Sequence, residues 1–252
     1  MDTVNDRAII GLGTPERDWQ AWPALAALPR ERLSSLVAPG QRAVVVAPHP
    51  DDEVLGFAGM LIQLARLGRD ISLVAVTDGG ASHPGSTRWS PPALREARRE
   101  ETRRALLALG VDAEVHRLGL DDGEVTAQAD ELRDRLRAHL QPGDVVFTTW
   151  RKDGHPDHEA TGDAVAAVCE AQGCTLYEVP IWTWHWASVD DPRVPWARAC
   201  AIDLSEEQLE RKRQAVALFT SQLQPDDSTG QAPILPPNVL ARLLRDFEVL
   251  FR

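Results

Sequence analysis

From Arg42 onward the chain alternates short apolar runs with longer stretches of helical periodicity, and that alternation leaves few architectures open. Strand candidates fall at 42–47, 71–76, 113–118, 144–149, 175–179 and 198–203. Helical patterns lie between them at about 54–67, 93–109, 127–140 and 158–172. In the first of these, Val54, Leu55, Ala58, Leu61, Ile62 and Ala65 recur with the 3.6-residue period, and Gly68 is a stop signal. Strands joined through helices of this length form βαβ units, which implies three layers around a mainly parallel sheet. Two further helices are expected at about 205–219 and 237–250, separated by a Pro-, Asp-, Ser- and Gly-rich surface loop from Gln222 to Asn238. Residues 1–40, with Trp19, Trp22 and Pro23 and a short helical candidate over Pro29–Val37, read as a lead-in packed on the domain.

The apolar run Val44-Val45-Val46 passes directly into Ala47-Pro48-His49-Pro50-Asp51-Asp52-Glu53. An imidazole and several carboxylates are thereby expected at the carboxyl end of a buried strand, the edge at which open α/β sheets bind ligands. A second run, Val145 to Thr149, precedes Gly154-His155-Pro156-Asp157-His158. If both runs lie in one parallel sheet, the two polar clusters meet. Catalytic zinc sites take three protein ligands and keep a fourth position open. His49 and Asp52, three residues apart where a strand hands over to a helix, would supply two ligands, and His158 the third. Asp51 would point elsewhere, towards a water, as a general base. His155 would face the same cavity without binding the ion, with Asp157 holding its tautomer and favouring its protonated form. The plainer readings are a helix cap for Asp51 or Asp52, a dipole contact for Glu53, and Pro-Asp turn chemistry at the second cluster.

Composition narrows the function. At 252 residues, one large domain spanning 1–252 is expected. A net charge of −11 argues against nucleic acid and anionic membrane surfaces as partners. Cys169, Cys174 and Cys200 form no disulfide framework and show no metal-ligand spacing. The stretch from Met1 to Leu12 does not resemble a signal peptide, and no run approaches the roughly 18 apolar residues of a membrane helix. A cytoplasmic location is expected.

The pair His49-Pro50-Asp51-Asp52-Glu53 and His155-Pro156-Asp157-His158 resembles the two hallmarks of the LmbE-like, or PIG-L, family of zinc-dependent N-deacetylases. Weaker marks agree: Thr77-Asp78-Gly79, Arg98 with Glu101, Leu109-Gly110-Val111, Asp122-Gly123, and Lys212 followed by Ser221-Gln222. The resemblance covers about residues 42–222, leaving 223–252 as a loop and C-terminal helix. It implies a Rossmann-like α/β fold and the same ligand, base and oxyanion assignments. It further implies Arg98 and Asp122 as contacts to substrate hydroxyls, against the plainer readings of a solvated helix face and an Asp-Gly turn. Where some members carry a tyrosine two residues before the first histidine of the second motif, this chain has Asp153.

Ile181-Trp182-Thr183-Trp184-His185-Trp186 alternates with period two, so an extended segment would put three indoles, Trp184 central among them, on one side as a substrate wall. An aromatic packing stripe is the alternative. Of the remaining histidines, His83, His116 and His139 lack a partner motif, and His83 is the one nearest a motif loop. The function expected is hydrolysis of an N-acyl, most simply N-acetyl, group on an amino sugar or glycoconjugate, with zinc bound. The same donor set suits iron(II). A metallohydrolase of non-sugar amides or esters, and a non-catalytic metal-binding partner in a biosynthetic complex, are the other classes the sequence admits.

Overall fold

The computed structural model describes residues 7–252; the expectations that fall on residues 1–6 lie outside it. Among the described residues seven strands form one sheet: β1 (Arg42–Ala47), β2 (Asp70–Thr77), β3 (Glu114–Leu120), β4 (Val145–Thr149), β5 (Thr175–Val179), β6 (Ala199–Asp203) and β7 (Phe247–Phe251). Their order is β3-β2-β1-β4-β5-β7-β6. β1, β2, β3, β4 and β5 are parallel neighbours, whereas β7 runs antiparallel to both β5 and β6. Strand order reverses between β1 and β4, the switch point at which a crevice opens beyond the strand ends. The three-layer, mainly parallel α/β fold expected from the alternation is therefore present.

Each face of the sheet carries its own core. Val44, Val46, Val74, Val76 and Val146 meet Leu132, Leu136, Val165 and Val168 on one side. Ala43, Val45, Leu73 and Phe147 meet Phe57, Leu61, Leu64 and Leu109 on the other. Burial on both faces explains why β1 reads as a continuous apolar run rather than an alternating one.

Three elements differ from the sequence reading. The helix foreseen over 54–67 is two pieces, Asp52–Leu55 and Ala58–Arg66, bent at Gly56 and Phe57. The helix foreseen over 237–250 stops at Leu243, and Phe247–Phe251 is a strand. Phe247, Val249 and Phe251 favour a pleated surface, and the open slot between β5 and β6 decides the matter. Glu248 fixes that strand in place. Its carboxylate accepts from the amides of Gly59 (2.8 Å) and Met60 (2.9 Å) and from Lys212 Nζ (2.8 Å), all buried. An unpaired charge at that depth costs on the order of 3–5 kcal/mol, so the three partners lock the strand to the start of helix Ala58–Arg66.

The third difference is the tryptophan segment, which is a short helix, Thr183–Trp186, and not an extended wall. Its cause is Asp153, whose buried carboxylate collects the amides of Ile181, Trp182 and Thr183, each at 2.9 Å. Three successive N–H groups can converge on one anion only if the backbone curls. Trp184 consequently turns inward: it is 4% exposed and donates to the Pro180 carbonyl, and its ring lies 5.1 Å from that of Trp19 at 90°. The lead-in from Arg7 packs here as expected, with short helices Glu16–Gln20, Pro23–Ala26 and Leu33–Leu36. Among the described residues no helix is long and apolar enough to cross a membrane.

Candidate metal centre and active site

Both polar clusters stand at the carboxyl edge of the switch point, one after β1 and one after β4. They line a cavity of about 290 Å³ together with Leu55, Ser82, Arg98, Asp122, Trp182, Gln222, Ile234 and Leu235. The first cluster is held by a strained turn. Asp51 has φ 119°, a region that L-residues rarely adopt and that costs of order 1–3 kcal/mol. Glu53 sustains it: its buried carboxylate accepts from the Asp51 amide (2.9 Å) and the Thr102 hydroxyl (2.8 Å). Glu53 is thus a clamp on the turn. Asp51 stands at the N-cap position of helix Asp52–Leu55 but makes no side-chain capping bond.

The turn brings Asp52 to both candidate imidazole ligands. Asp52 Oδ2 lies 3.3 Å from His49 Nδ1 and 3.2 Å from His158 Nε2. In a tetrahedral site with zinc–nitrogen bonds near 2.0–2.1 Å, neighbouring ligand atoms are about 3.3–3.4 Å apart. The observed spacings match. The far nitrogens are occupied by carboxylates that fix the tautomers: His158 Nδ1 meets Asp153 (2.9 Å), and His49 Nε2 meets Asp157 (3.1 Å) and Asp122 (3.2 Å). The inner nitrogens, His49 Nδ1 and His158 Nε2, both face Asp52 Oδ2. Charge agrees with geometry. Burial opposes the ionisation of Asp52, yet the His158 and His49 imidazoles hold its carboxyl well below the usual carboxylate range. Burial likewise disfavours a His158 cation, but Asp52 and Asp153 raise it to about 9. Positive charge beside the Asp52 carboxylate is thereby favoured.

Asp51 is set apart from this trio. Burial is the main force on its carboxyl, which rises to about 8 even with the Arg98 guanidinium 3.0 Å away. Arg98 also donates to the carbonyls of Gly79 (3.2 Å) and Pro50 (2.5 Å). A side chain at Gly79 would collide with Arg98 at 2.2 Å, which explains the glycine of Thr77-Asp78-Gly79. Glu101, one turn along the same helix, accepts from the Ser221 amide and hydroxyl (2.8 and 2.7 Å) and so seats Gln222 at the cavity. Gly79, Arg98, Glu101 and Ser221-Gln222 among the weak sequence marks are therefore supports for the first strong motif and its cavity.

Three expectations are corrected here. The Asp157 carboxylate does not hold His155: it binds His49 and the amides of Gly123 (2.7 Å) and Val125 (3.3 Å). His155 instead accepts the Asp157 amide at Nδ1 (3.2 Å), and burial with two neighbouring imidazoles lowers it to about 3. A ring that accepts at Nδ1 carries a proton on Nε2, so His155 has a donor at that atom. Trp184 does not reach the cavity; Trp182, two residues earlier, lines it. Asp122 does line the cavity, but its oxygens face His49 and the Ala81 amide (2.7 Å) rather than open space. His185 is structural, bonded to the Ile10 carbonyl and Arg242.

Asp153 is the residue that sequence reasoning passed over. It is fully buried, orients His158 and folds the segment that carries Trp182. Its only signal was its position two residues before His155, where the resemblance suggested a tyrosine. Replacing Asp153 with alanine should weaken metal affinity by roughly 10–100-fold, the usual range for an orienting carboxylate. Competition against a chelator of known affinity measures this, and an unchanged affinity would remove Asp153 from the role.

An α/β sheet with a histidine–carboxylate cluster at its switch point defines a Rossmann-like fold with a candidate metallohydrolase centre. The chain belongs to the PIG-L family, whose model, described as GlcNAc-PI de-N-acetylase, matches residues 44–169 and spans both motifs. It is 30% identical over 167 residues to the probable N-acetyl-alpha-D-glucosaminyl L-malate deacetylase 2 of Bacillus anthracis, covering 61% of this chain and 72% of that protein. It is 25% identical over 222 residues to the N-acetylglucosaminyl-phosphatidylinositol de-N-acetylase of Bos taurus, covering 81% and 83%. The fold is shared with the A40926 pseudoaglycone deacetylase (TM-score 0.60, 23% identity, 84% of this chain and 96% of that one). It is also shared with the N,N'-diacetylchitobiose deacetylase from Pyrococcus horikoshii (TM-score 0.58, 22% identity, 78% and 75%).

Proposed function

We propose that this chain is a zinc-dependent hydrolase that removes an N-acyl group, in the simplest case N-acetyl, from an amino sugar or glycoconjugate. The observation that carries the reading is Asp52 Oδ2 at ligand spacing from both His49 Nδ1 (3.3 Å) and His158 Nε2 (3.2 Å), within a cluster where His49, His155 and His158 could hold a metal ion, beside the separate carboxyl of Asp51. Bound by these three residues, zinc would supply Lewis acidity and an acidified water. The chain's own residues do the rest. Asp51 accepts a proton from the attacking water and returns it to the departing amine, a task suited to a carboxyl near 8. His155 donates its Nε2 proton as a hydrogen bond to the carbonyl oxygen as negative charge grows there. Leu55, Trp182, Ile234 and Leu235 offer an apolar wall for the acyl group, while Ser82 and Gln222 stand on the polar side that would face sugar hydroxyls, with Arg98 and Asp122 behind them holding Asp51 and His49. The names of the relatives support the same substrate class. One sheet joining all seven strands supports treating the described residues as one domain.

The test measures bound metal in the purified protein, then amine release from N-acyl amino sugars before and after chelation. About one metal per chain with chelator-sensitive amine release is expected. Bound metal without amine release from any sugar would shift the substrate to a non-sugar amide or ester. No metal after reconstitution would overturn the proposal.

A further inference from the structure

The lead-in meets the second motif, and apolar burial is not what holds it there. Ile10 and Leu12 are 75% and 78% exposed. Their carbonyls are bound instead. His185 Nε2 donates to Ile10 (3.0 Å), and Arg242 donates to Leu12 (3.0 Å) and Thr14 (2.7 Å). A few residues earlier, Arg7 forks onto Glu159: Nε donates to Oε1 (2.9 Å) and Nη2 to Oε2 (3.1 Å). Glu159 Oε1 also accepts the amide of Gly154 (2.9 Å), the residue immediately before His155. Gly154 has φ 96°, and a Cβ there would lie 2.6 Å from the Arg7 carbonyl oxygen. Glu159 therefore ties the turn that delivers His155, and the Arg7 backbone packs directly against it.

Glu159 stands on the first turn of helix Pro156–Gln172 and is partly exposed, so by itself its carboxylate would be free to turn to water. A two-point guanidinium fork fixes both oxygens and keeps Oε1 on the Gly154 amide. His158 is oriented by a separate set of bonds: Asp153 holds its Nδ1 and is itself held by the amides of Ile181, Trp182 and Thr183. Neither Arg7 nor Glu159 lines the metal cavity. Resting on the deacetylase reading above, we infer that Arg7 and Glu159 are positioning residues for His155. The lead-in is a strap that sets the oxyanion donor without touching substrate.

The experiment measures kcat, KM and zinc affinity for Arg7→Ala, Glu159→Ala, the double variant and Arg7→Lys. In each alanine variant kcat should fall roughly tenfold, less than the 10²-fold that a 1 Å misplacement can cost, with KM and zinc affinity nearly unchanged. The double variant should lose no more than either single one, because both break the same tie. Lysine, a single-point cation, should restore part of the loss. Unchanged kcat, losses that multiply in the double variant, or a kcat loss matched by metal loss would overturn the inference and leave the deacetylase reading intact. Long-range ¹H–¹⁵N spectra of the histidine rings give a readout independent of turnover. In Arg7→Ala the His155 signals should shift, while those of the distant His116–His139 pair stay in place. If the wild type releases no amine from any sugar, the deacetylase reading fails separately and this spectrum decides: a His155 shift supports the strap, and unchanged His155 signals overturn it.

Discussion

Asp51→Asn is expected to keep its metal and lose roughly 10³–10⁴-fold in turnover, the upper range for removing a general base. The side chain is isosteric and the three ligand atoms belong to other residues, so the coordination geometry survives. Asparagine keeps the shape of the aspartate, and Glu53 holds the turn through the backbone amide of residue 51, so the turn should hold. What disappears is a carboxyl that burial pushes up to about 8 and that Arg98 holds at 3.0 Å. Metal content by plasma emission, together with amine release under saturating substrate, measures both halves. Loss of metal in this variant would mean that Asp51 is a ligand, and the division of labour between Asp51 and Asp52 would be wrong.

His158→Ala should do the reverse and lose the metal first. The imidazole contributes a ligand nitrogen 3.2 Å from Asp52 Oδ2, and its removal leaves Asp153 without the ring it orients. The affinity loss should exceed the roughly 10–100-fold that a supporting hydrogen bond is worth, because a ligand itself is gone. Equilibrium dialysis against a metal buffer reads the difference, and excess zinc should restore little activity. Wild-type affinity in His158→Ala would assign the third ligand elsewhere, with His155 as the nearest alternative at 4.9 Å between ring centroids.

The reactive centre was legible because its residues sit in two short segments whose positions follow from the strand pattern. Val44 to Val46 and Val145 to Thr149 announce buried parallel strands, and whatever follows them must meet at one edge. The supporting residues were not legible in the same way. Asp157 was assigned to its sequence neighbour His155, but its carboxylate reaches across to His49, 108 positions away. Trp184 was placed in the cleft from a period-two pattern that Asp153 overrides by gathering three consecutive amides. The last strand read as helix because Val249-Leu250-Phe251 is apolar in either state, and only the slot beside β5 distinguishes them.

The place of β7 between β5 and β6 also sets an order of assembly. β1 to β5 are parallel neighbours through crossovers and can associate as the polypeptide lengthens. β6 follows in sequence but touches no other strand of the sheet except β7. Until residues 247–251 emerge from the ribosome, β6 has only the bridge between Arg30 and Ala201 to hold it, β5 presents a bare edge, and Lys212 lacks its Glu248 counter-charge. The reactive edge lies on strands made early, yet this flank of the sheet stays open until translation is nearly past residue 251.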